Sequence, residues 1–331
     1  MMASSRDFAK RYEADCRHLN QFFSGNASPS NARPVLEIFT TRSSQEMKQI
    51  CRAYSSMYHQ DLLLLLSQQK TNFARVACLR ASEPCVRDAD IARDALFGRR
   101  LDGDVLVEVV CTRPSAEVAS IRQAYQARYS ASLERDVSSR TSGSLNEVLL
   151  AFLGSSGYHG GRVDATMAMC DAKTLYEAVE SGRGVDRRSI LQLLRHRSGD
   201  QLRAVLASYR RLYGQELARA LKRKADGVGH RSGESFPGVF RAALRCAQRP
   251  ERHFARAVRV ALERGGGGGA AREALVRAVV TRAGVDVRRV NQAFAAKTGW
   301  TLESVVRNEF AAGNADDGLT GDLLVELLKL A

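Results

Sequence analysis

One pattern of apolar residues occurs four times along this chain of 331 residues, each time at fixed distances from an arginine. An aromatic residue follows the arginine by 12 positions and a leucine by 20, and other apolar residues stand 7 positions before it and 5, 8 and 24 after it. The arginines are Arg42, Arg113, Arg197 and Arg282; the aromatic residues are Tyr54, Tyr125, Tyr209 and Phe294; the leucines are Leu62, Leu133, Leu217 and Leu302. Such self-similarity indicates one structural unit used four times.

The spacing of the apolar positions predicts helices. Offsets 5, 8 and 12 differ by three and four, so those residues share one face of a helix. Successive arginines lie 71, 84 and 85 residues apart, a longer period than the roughly 33 to 47 residues of common helix-pair repeats. In the second unit we predict helices over 105–111, 116–129, 133–138 and 145–153, and a further one over 164–180. The sequence therefore predicts an all-α fold with about five helices per unit, a buried aromatic in each, and a structural role for the arginines.

Composition narrows the class of protein. The hydrophobic content of 44% and the six prolines favour an ordered helical fold over a disordered chain. The longest aliphatic run, 62–66, is too short to span a bilayer, and charged residues near the start stand where a secretory signal needs an apolar stretch. We therefore expect a cytoplasmic protein. The seven cysteines include no Cys-x-x-Cys pair, so neither a zinc knuckle nor a thioredoxin-type site is indicated.

The net charge of +14 predicts an anionic partner, which is a phospholipid surface, nucleic acid or an acidic protein. The chain has no recognisable nucleic-acid module, and its aromatic content of 7% offers few residues for base stacking. Nucleic acid is therefore the less favoured partner. No phosphate-binding Gly-x-x-x-x-Gly-Lys-Ser/Thr motif occurs, and no catalytic constellation is evident, so we do not expect an enzyme.

Several segments resemble the annexin family, in particular annexins of the plant type, some of which act in stress responses. Residues 111–113, 121–129, 133–137 and 141–143 together are similar to a second annexin repeat, and residues 281–282 with 290–294 are similar to a fourth. The resemblance implies a curved all-α disc of four five-helix repeats, which binds Ca²⁺ and, through Ca²⁺, acidic phospholipid membranes. On this basis we assign a short extension to 1–10 and annexin-like repeats to 11–81, 82–154, 155–249 and 250–331.

Three glycine-rich segments interrupt the repeated pattern. We predict a surface linker over 154–161 and a loop insertion over 228–238, both within the third repeat or at its start. The third segment, 265–269, lies where the family resemblance implies a calcium-binding loop.

The resemblance implies calcium sites made of a Gly-x-Gly-Thr loop and an acidic side chain about 40 residues later. Ca²⁺ takes six to eight oxygen ligands at roughly 2.3–2.6 Å, and glycine lets a loop turn its carbonyl groups inward. The glycines fall 15 and 13 positions before the repeated arginine, and the acid falls 27 after it. Only the fourth repeat has all three, in Gly267, Gly269 and Glu309, with Gly265 placed to offer a further carbonyl. Ala270 replaces the usual threonine, so we predict at most one weak calcium site.

The other three repeats have no acid at this position, where Gln69, Arg140 and Lys224 stand. Basic residues near an anionic leaflet contribute about 1 kcal/mol each. We therefore hypothesise partly calcium-independent phospholipid binding, through residues at the acid position and in the glycine loops: Arg99, Arg100, Arg140, Arg183 and Lys224. Two alternatives stay open: these residues form only a solvated face, or the protein is a basic helical scaffold that binds proteins or nucleic acid without calcium.

Overall fold

The computed structural model describes residues 11–24, 29–155, 163–180, 184–226, 235–264, 269–311 and 315–330, which contain twenty helices and no strand. The helices run in four groups of five, which confirms the all-α prediction. The first two groups are α1 (Glu13–Phe23), α2 (Pro29–Thr41), α3 (Ser44–Tyr58), α4 (Leu62–Gln68), α5 (Asn72–Ala81), α6 (Pro84–Phe97), α7 (Gly103–Cys111), α8 (Ser115–Tyr129), α9 (Leu133–Arg140) and α10 (Gly143–Ser155). The last two are α11 (Ala165–Glu180), α12 (Arg187–Arg195), α13 (Gly199–Tyr213), α14 (Leu217–Asp226), α15 (Phe236–Gln248), α16 (Pro250–Glu263), α17 (Gly269–Arg282), α18 (Val287–Thr298), α19 (Leu302–Ala311) and α20 (Ala315–Leu328).

The third helix of every repeat ends in the same way. Its last turn is followed by a residue in the left-handed region, 17 positions after the repeated arginine; these residues are His59, Ser130, Gly214 and Gly299, with φ of 52°, 51°, 65° and 76°. A left-handed residue stops a helix and lets the chain turn sharply into the next one. Glycine takes this conformation without strain, whereas histidine and serine adopt it at a cost. The repeat therefore fixes the end of this helix as well as its buried face.

The apolar positions of the repeated pattern form the core. None of them exceeds 5% exposure in any of the four repeats, and the aromatic residues are at most 2% exposed. Fully burying a side chain such as leucine or valine contributes about 1.5–3 kcal/mol. The prediction that the aromatic residues are core residues is confirmed.

The helices form two compact units, one of residues 1–84 and 254–331 and the other of residues 85–253. The first and fourth repeats thus share one core, apart from the start of α16, and the second and third repeats share the other. In the first unit, the Asp316 carboxylate at the start of α20 accepts the backbone N–H groups of Asn72 and Phe73 at 2.8 and 3.2 Å, which caps α5 of the first repeat. Among the described helices, none has the length and apolar character that a membrane crossing requires.

Helices extend into two of the segments that we predicted to be loops. Helix α10 continues to Ser155, so the linker predicted over 154–161 begins too early, and its residues 156–161 lie outside the described residues. Helix α15 begins at Phe236, so the insertion predicted to reach Gly238 is three residues too long. The Ser235 hydroxyl accepts the Gly238 N–H at 3.4 Å and caps the helix. Pro237 is compatible with a first helical turn because its missing N–H is not needed there.

Candidate functional site

The end of the first helix lies beside the end of the fourth helix in the first three repeats. The Gln69 side-chain amide, just after α4, donates to the Phe23 carbonyl at 2.9 Å. In the second repeat the Arg140 Nε donates to the Leu96 carbonyl at 3.2 Å. In the third, the Arg223 guanidinium at the end of α14 contacts the Glu180 carboxylate at 2.9 Å. The structure therefore brings the acid position, or the residue before it, to the helix end at which the predicted interhelical loop begins.

The first and second repeats do not fit a calcium ion. At their acid positions a nitrogen donor already occupies a carbonyl oxygen at the end of the first helix. Ca²⁺ binds oxygen ligands, preferably with a carboxylate among them, and these positions supply an amide and a guanidinium instead. In the second repeat the guanidinium also brings a positive charge to this position, which opposes the binding of a cation.

In the second repeat, hydrogen bonds at its base order the loop between α6 and α7. The Gly98 N–H donates to the Asp94 carbonyl at 2.8 Å and the Asp102 N–H to the Ala95 carbonyl at 2.9 Å. The Asp102 carboxylate accepts the Val105 N–H at 3.0 Å and caps α7. The Arg140 guanidinium adds its bond to Leu96. This loop is therefore held by groups of the protein itself.

Arg99 and Arg100, two of the predicted phospholipid-binding residues, are exposed at the tip of this loop. Neither forms an ion pair or hydrogen bond with any residue that the structure describes. The sequence analysis did not single out Phe97 and Leu101 on either side of them, which are 41% and 42% exposed. The sequence does contain a signal for them, because two large apolar residues flank a pair of arginines.

In the third repeat, Lys224 is half-buried and makes no ion pair within the described part of the chain. Arg183 lies outside the described residues. The Asp186 carboxylate caps α12 by accepting the Arg188 and Ser189 N–H groups at 3.0 and 3.2 Å. The Ser189 hydroxyl is the main cause of a lowered pKa of Asp186. This carboxylate is therefore engaged by its own helix.

The fourth repeat differs because its acid position holds a carboxylate. Glu309 is half-buried near the end of α19, and its carboxylate contacts no donor among the residues described. Its backbone carbonyl accepts a hydrogen bond from the Arg272 guanidinium at 2.5 Å, and that guanidinium pairs with Asp317 at 3.2 Å. Gly269 begins α17, while Gly265 and Gly267 lie outside the described residues. A half-buried carboxylate that no described residue contacts is an oxygen ligand that fits a hard cation such as Ca²⁺.

A cavity of about 470 Å³ adjoins Glu309 in the first unit. Its wall includes Glu263 from α16, Lys297 from α18 and Trp300 from the following turn. Trp300 is 61% exposed and is the only tryptophan in the chain. Its fluorescence therefore reports on the surroundings of Glu309.

The repeated arginines have acidic partners, which confirms their predicted structural role. The pairs are Arg42–Asp15 at 2.8 Å, Arg113–Asp88 at 2.6 Å, Arg197–Asp171 at 2.5 Å and Arg282–Asp286 at 2.6 Å. In the first three repeats the aspartate lies on the first helix, 25 to 27 positions before the arginine. This recurrence was not predicted, although the acidic residue is visible in the sequence of three of the four repeats.

The second-repeat pair is the most deeply buried of the four, because both side chains are at most 5% exposed. Burial alone opposes ionisation of Asp88, but the charges and hydrogen bonds of Arg113 and Arg87 outweigh it and lower the pKa of Asp88. In the fourth repeat Arg282 pairs with Asp286, four residues later, and lies over the Phe254 ring at 5.1 Å.

Comparison with known proteins agrees with this architecture. The annexin family model matches residues 87–152 and 170–231. Annexin A13 of Homo sapiens is 33% identical over 298 residues, which are 90% of each chain, and annexin D2 of Arabidopsis thaliana is 30% identical over 308 residues, 93% of each chain. The solved structure of annexin III matches with a TM-score of 0.78 at 25% identity, over 95% of this chain and 92% of that one. An animal and a plant relative thus match at similar identity, and the chain belongs to the annexin family.

Proposed function

We propose that this annexin binds acidic phospholipid membranes peripherally, with at most one calcium site, in the fourth repeat. Annexins in general bind such membranes through Ca²⁺ and act as binding proteins rather than enzymes. The observation that carries the proposal is the Glu309 carboxylate, which no described donor contacts, while the equivalent positions of the other repeats hold Gln69, Arg140 and Lys224. The proposal includes four annexin repeats, at residues 11–81, 82–154, 155–249 and 250–331.

The calcium site we propose consists of Glu309 with carbonyl groups of Gly265, Gly267 and Gly269. Only Gly269 and Glu309 lie within the described residues. The ion would also take oxygens from water or from a lipid phosphate, because Ca²⁺ needs six to eight ligands. A single site of this kind makes calcium binding weak in solution and stronger when a membrane supplies part of the ligand shell.

Calorimetric titration with Ca²⁺, with and without phosphatidylserine vesicles, tests the calcium site. We expect one binding event for the wild type, stronger with vesicles present, and its loss in Glu309→Gln. Glu303→Gln is the matched control, because Glu303 is an exposed carboxylate on the same helix that pairs with Arg307 at 3.0 Å. Unchanged calcium binding in Glu309→Gln would remove the proposed site.

We further propose that part of the membrane binding needs no calcium and depends on Arg99, Arg100, Arg140, Arg183 and Lys224. Arg99 and Arg100 support this best, because both are exposed and unpaired within the described residues. Each basic residue near an anionic leaflet contributes about 1 kcal/mol, an effect that salt screens. The excess of basic over acidic residues gives the chain a net charge of +14, which also favours binding to an anionic membrane.

Sedimentation with phosphatidylserine vesicles in excess chelator tests the calcium-independent part. We expect pelleting at low salt, less at high salt, and a reduction in the double variant Arg99→Ser/Arg100→Ser. The matched control is Arg210→Ser/Arg211→Ser, a second exposed Arg-Arg-Leu sequence in the same unit. No pelleting of the wild type at low salt would refute calcium-independent binding. Tighter binding to RNA than to vesicles at matched salt would favour the scaffold alternative.

A further inference from the structure

We propose that the loop at 97–101 of the second repeat inserts Phe97 and Leu101 into the interface of an acidic membrane without calcium, and that Arg140 holds this loop in its inserting shape. We call residues 97–101 the insertion loop. The inference rests on the proposed membrane binding, and it adds an apolar contribution to what was so far an electrostatic one.

The exposed apolar side chains of the insertion loop are the first observation. Phe97 and Leu101 are 41% and 42% exposed, and they stand at the two ends of a five-residue segment. The residues between them, Gly98, Arg99 and Arg100, are exposed too. Two large apolar side chains are thus exposed within five residues of each other, with two arginines between them, which suits an interaction site.

The second observation is the way the Phe97 ring is held. The Arg93 guanidinium lies over the ring at 3.8 Å from its centroid, and the Arg140 guanidinium lies at 5.2 Å. Arg93 is itself fixed by the Asp136 carboxylate at 2.8 Å and the Tyr125 hydroxyl at 3.2 Å. The exposed ring therefore stands in a defined position before any partner is bound, and two cations lie beside it.

The third observation is that a side chain of the protein joins the start of the loop to the end of α9. Arg140 stands where the family resemblance implies the calcium-binding acid, and its Nε donates to the Leu96 carbonyl at 3.2 Å. The fixed guanidinium thus takes over the bridging that a bound cation would perform between the loop and the end of α9.

Charge alone does not account for binding by this loop. Asp94, Asp102 and Asp104 are exposed close to Arg99 and Arg100, so the local excess of positive charge is small. The arginines suit lipid phosphates, while the two apolar side chains suit the boundary between headgroups and acyl chains. This combination fits an acidic lipid surface, and it makes binding only partly sensitive to salt.

Depth-dependent quenching of tryptophan fluorescence tests insertion directly. In the background Trp300→Phe, which removes the only native tryptophan, Phe97→Trp supplies a reporter in the loop. With phosphatidylserine vesicles that carry brominated acyl chains, in excess chelator, we expect quenching and emission at shorter wavelength. The matched control reporter is Leu212→Trp, because Leu212 is 41% exposed and also follows two arginines, but lies on α13. A loop reporter that is quenched no more than this control would overturn the proposal.

A second experiment measures the apolar contribution to affinity. Burying such a side chain at a lipid boundary is worth about a tenfold change in affinity or more. We therefore expect Phe97→Ser and Leu101→Ser each to weaken vesicle binding in chelator about tenfold, with the loss persisting at high salt, and Leu212→Ser to leave it unchanged. Equal far-ultraviolet circular dichroism and melting temperature show that the variants fold.

The outcomes separate this inference from the proposed function. If the wild type binds vesicles in chelator but the serine variants bind equally well, the insertion loop is refuted and electrostatic binding stands. If the wild type binds only with calcium and the loop reporter stays unquenched, the loop is refuted and the calcium-dependent function stands. If the wild type binds acidic vesicles in neither condition, both are refuted.

Discussion

The second and fourth repeats have the same five-helix scaffold but carry side chains of opposite charge at the acid position. In the second repeat Arg140 donates to the Leu96 carbonyl and lies against the Phe97 ring. In the fourth, Glu309 offers a half-buried carboxylate that no described side chain or N–H group contacts. One repeat carries a cationic side chain at this position, and the other carries a carboxylate, the ligand of the calcium site that we propose.

The loop of the second repeat is held by the protein's own groups although no carboxylate stands at this position. In the second repeat the backbone bonds from Gly98 and Asp102, together with Arg140, order the loop. We therefore propose that the residue at the acid position decides whether the loop of a repeat needs a bound cation. Four predictions test this comparison, in order of expected effect.

The largest loss of stability is expected at the ion pair of the repeated arginine, which is Arg113 in the second repeat and Arg282 in the fourth. Asp88→Asn removes the partner of Arg113 in a pair with both side chains at most 5% exposed. Breaking a buried ion pair costs about 3–5 kcal/mol because a buried charge is left unpaired. We expect this loss in the second unit, measured by native-state hydrogen exchange of its peptides. Asp286→Asn should cost less, because Arg282 keeps its contact with the Phe254 ring at 5.1 Å; equal losses would contradict this.

The same buried pair predicts a dependence of stability on pH. The pKa of Asp88 is lowered in the folded protein below its ordinary value of 3.8, because the attraction of Arg113 and Arg87 outweighs burial. Its contribution is therefore fully present above that ordinary pKa and is lost as pH falls through the lower, folded value. Hydrogen exchange of the second unit over a pH series should show this loss in the wild type. If Asp88→Asn loses stability just as steeply as pH falls, the loss comes from other titrating groups.

A smaller effect is expected from changes at Arg140. Arg140→Gln keeps a donor for the Leu96 carbonyl, as Gln69 provides in the first repeat, whereas Arg140→Glu cannot donate. Because Arg140 is exposed, this hydrogen bond contributes about 0.5–1.5 kcal/mol, the net value of an ordinary hydrogen bond. We expect faster hydrogen exchange of residues 97–103 in Arg140→Glu and near wild-type exchange in Arg140→Gln. If both variants exchange alike, the hydrogen bond does not order the loop.

The smallest effect is expected at Glu309 in the absence of calcium. Its carboxylate makes no contact with the described donors, so Glu309→Gln removes no interaction with the described part of the chain. Substitutions of this kind change the unfolding free energy by less than about 0.5 kcal/mol. Denaturant unfolding followed by Trp300 fluorescence, in chelator, should therefore match the wild type. A large destabilisation in chelator would show that Glu309 has a structural role instead.

Much of the scaffold was accessible from the sequence. The predicted helices 105–111, 116–129, 133–138 and 145–153 agree with α7 to α10 within two residues at each end. The repeated apolar positions predicted the core because a helix buries residues spaced three and four apart. The loops were harder to predict. Ser155 and Phe236 lie in helices although glycine and serine surround them, because packing and capping extend a helix beyond its local composition.

Spacing along the chain brought Gln69, Arg140 and Glu309 to one position of the repeat, since the pattern repeats with the helices. It did not show what each side chain contacts. Arg140 donates to Leu96 and lies beside the Phe97 ring, whereas no described donor contacts the Glu309 carboxylate. These differences depend on which helix ends meet in the folded protein, and those ends are 37 to 44 residues apart in the chain. Periodicity encodes which face of a helix is buried, because that depends on local geometry alone. The use of a polar side chain depends on neighbours that only the folded protein supplies.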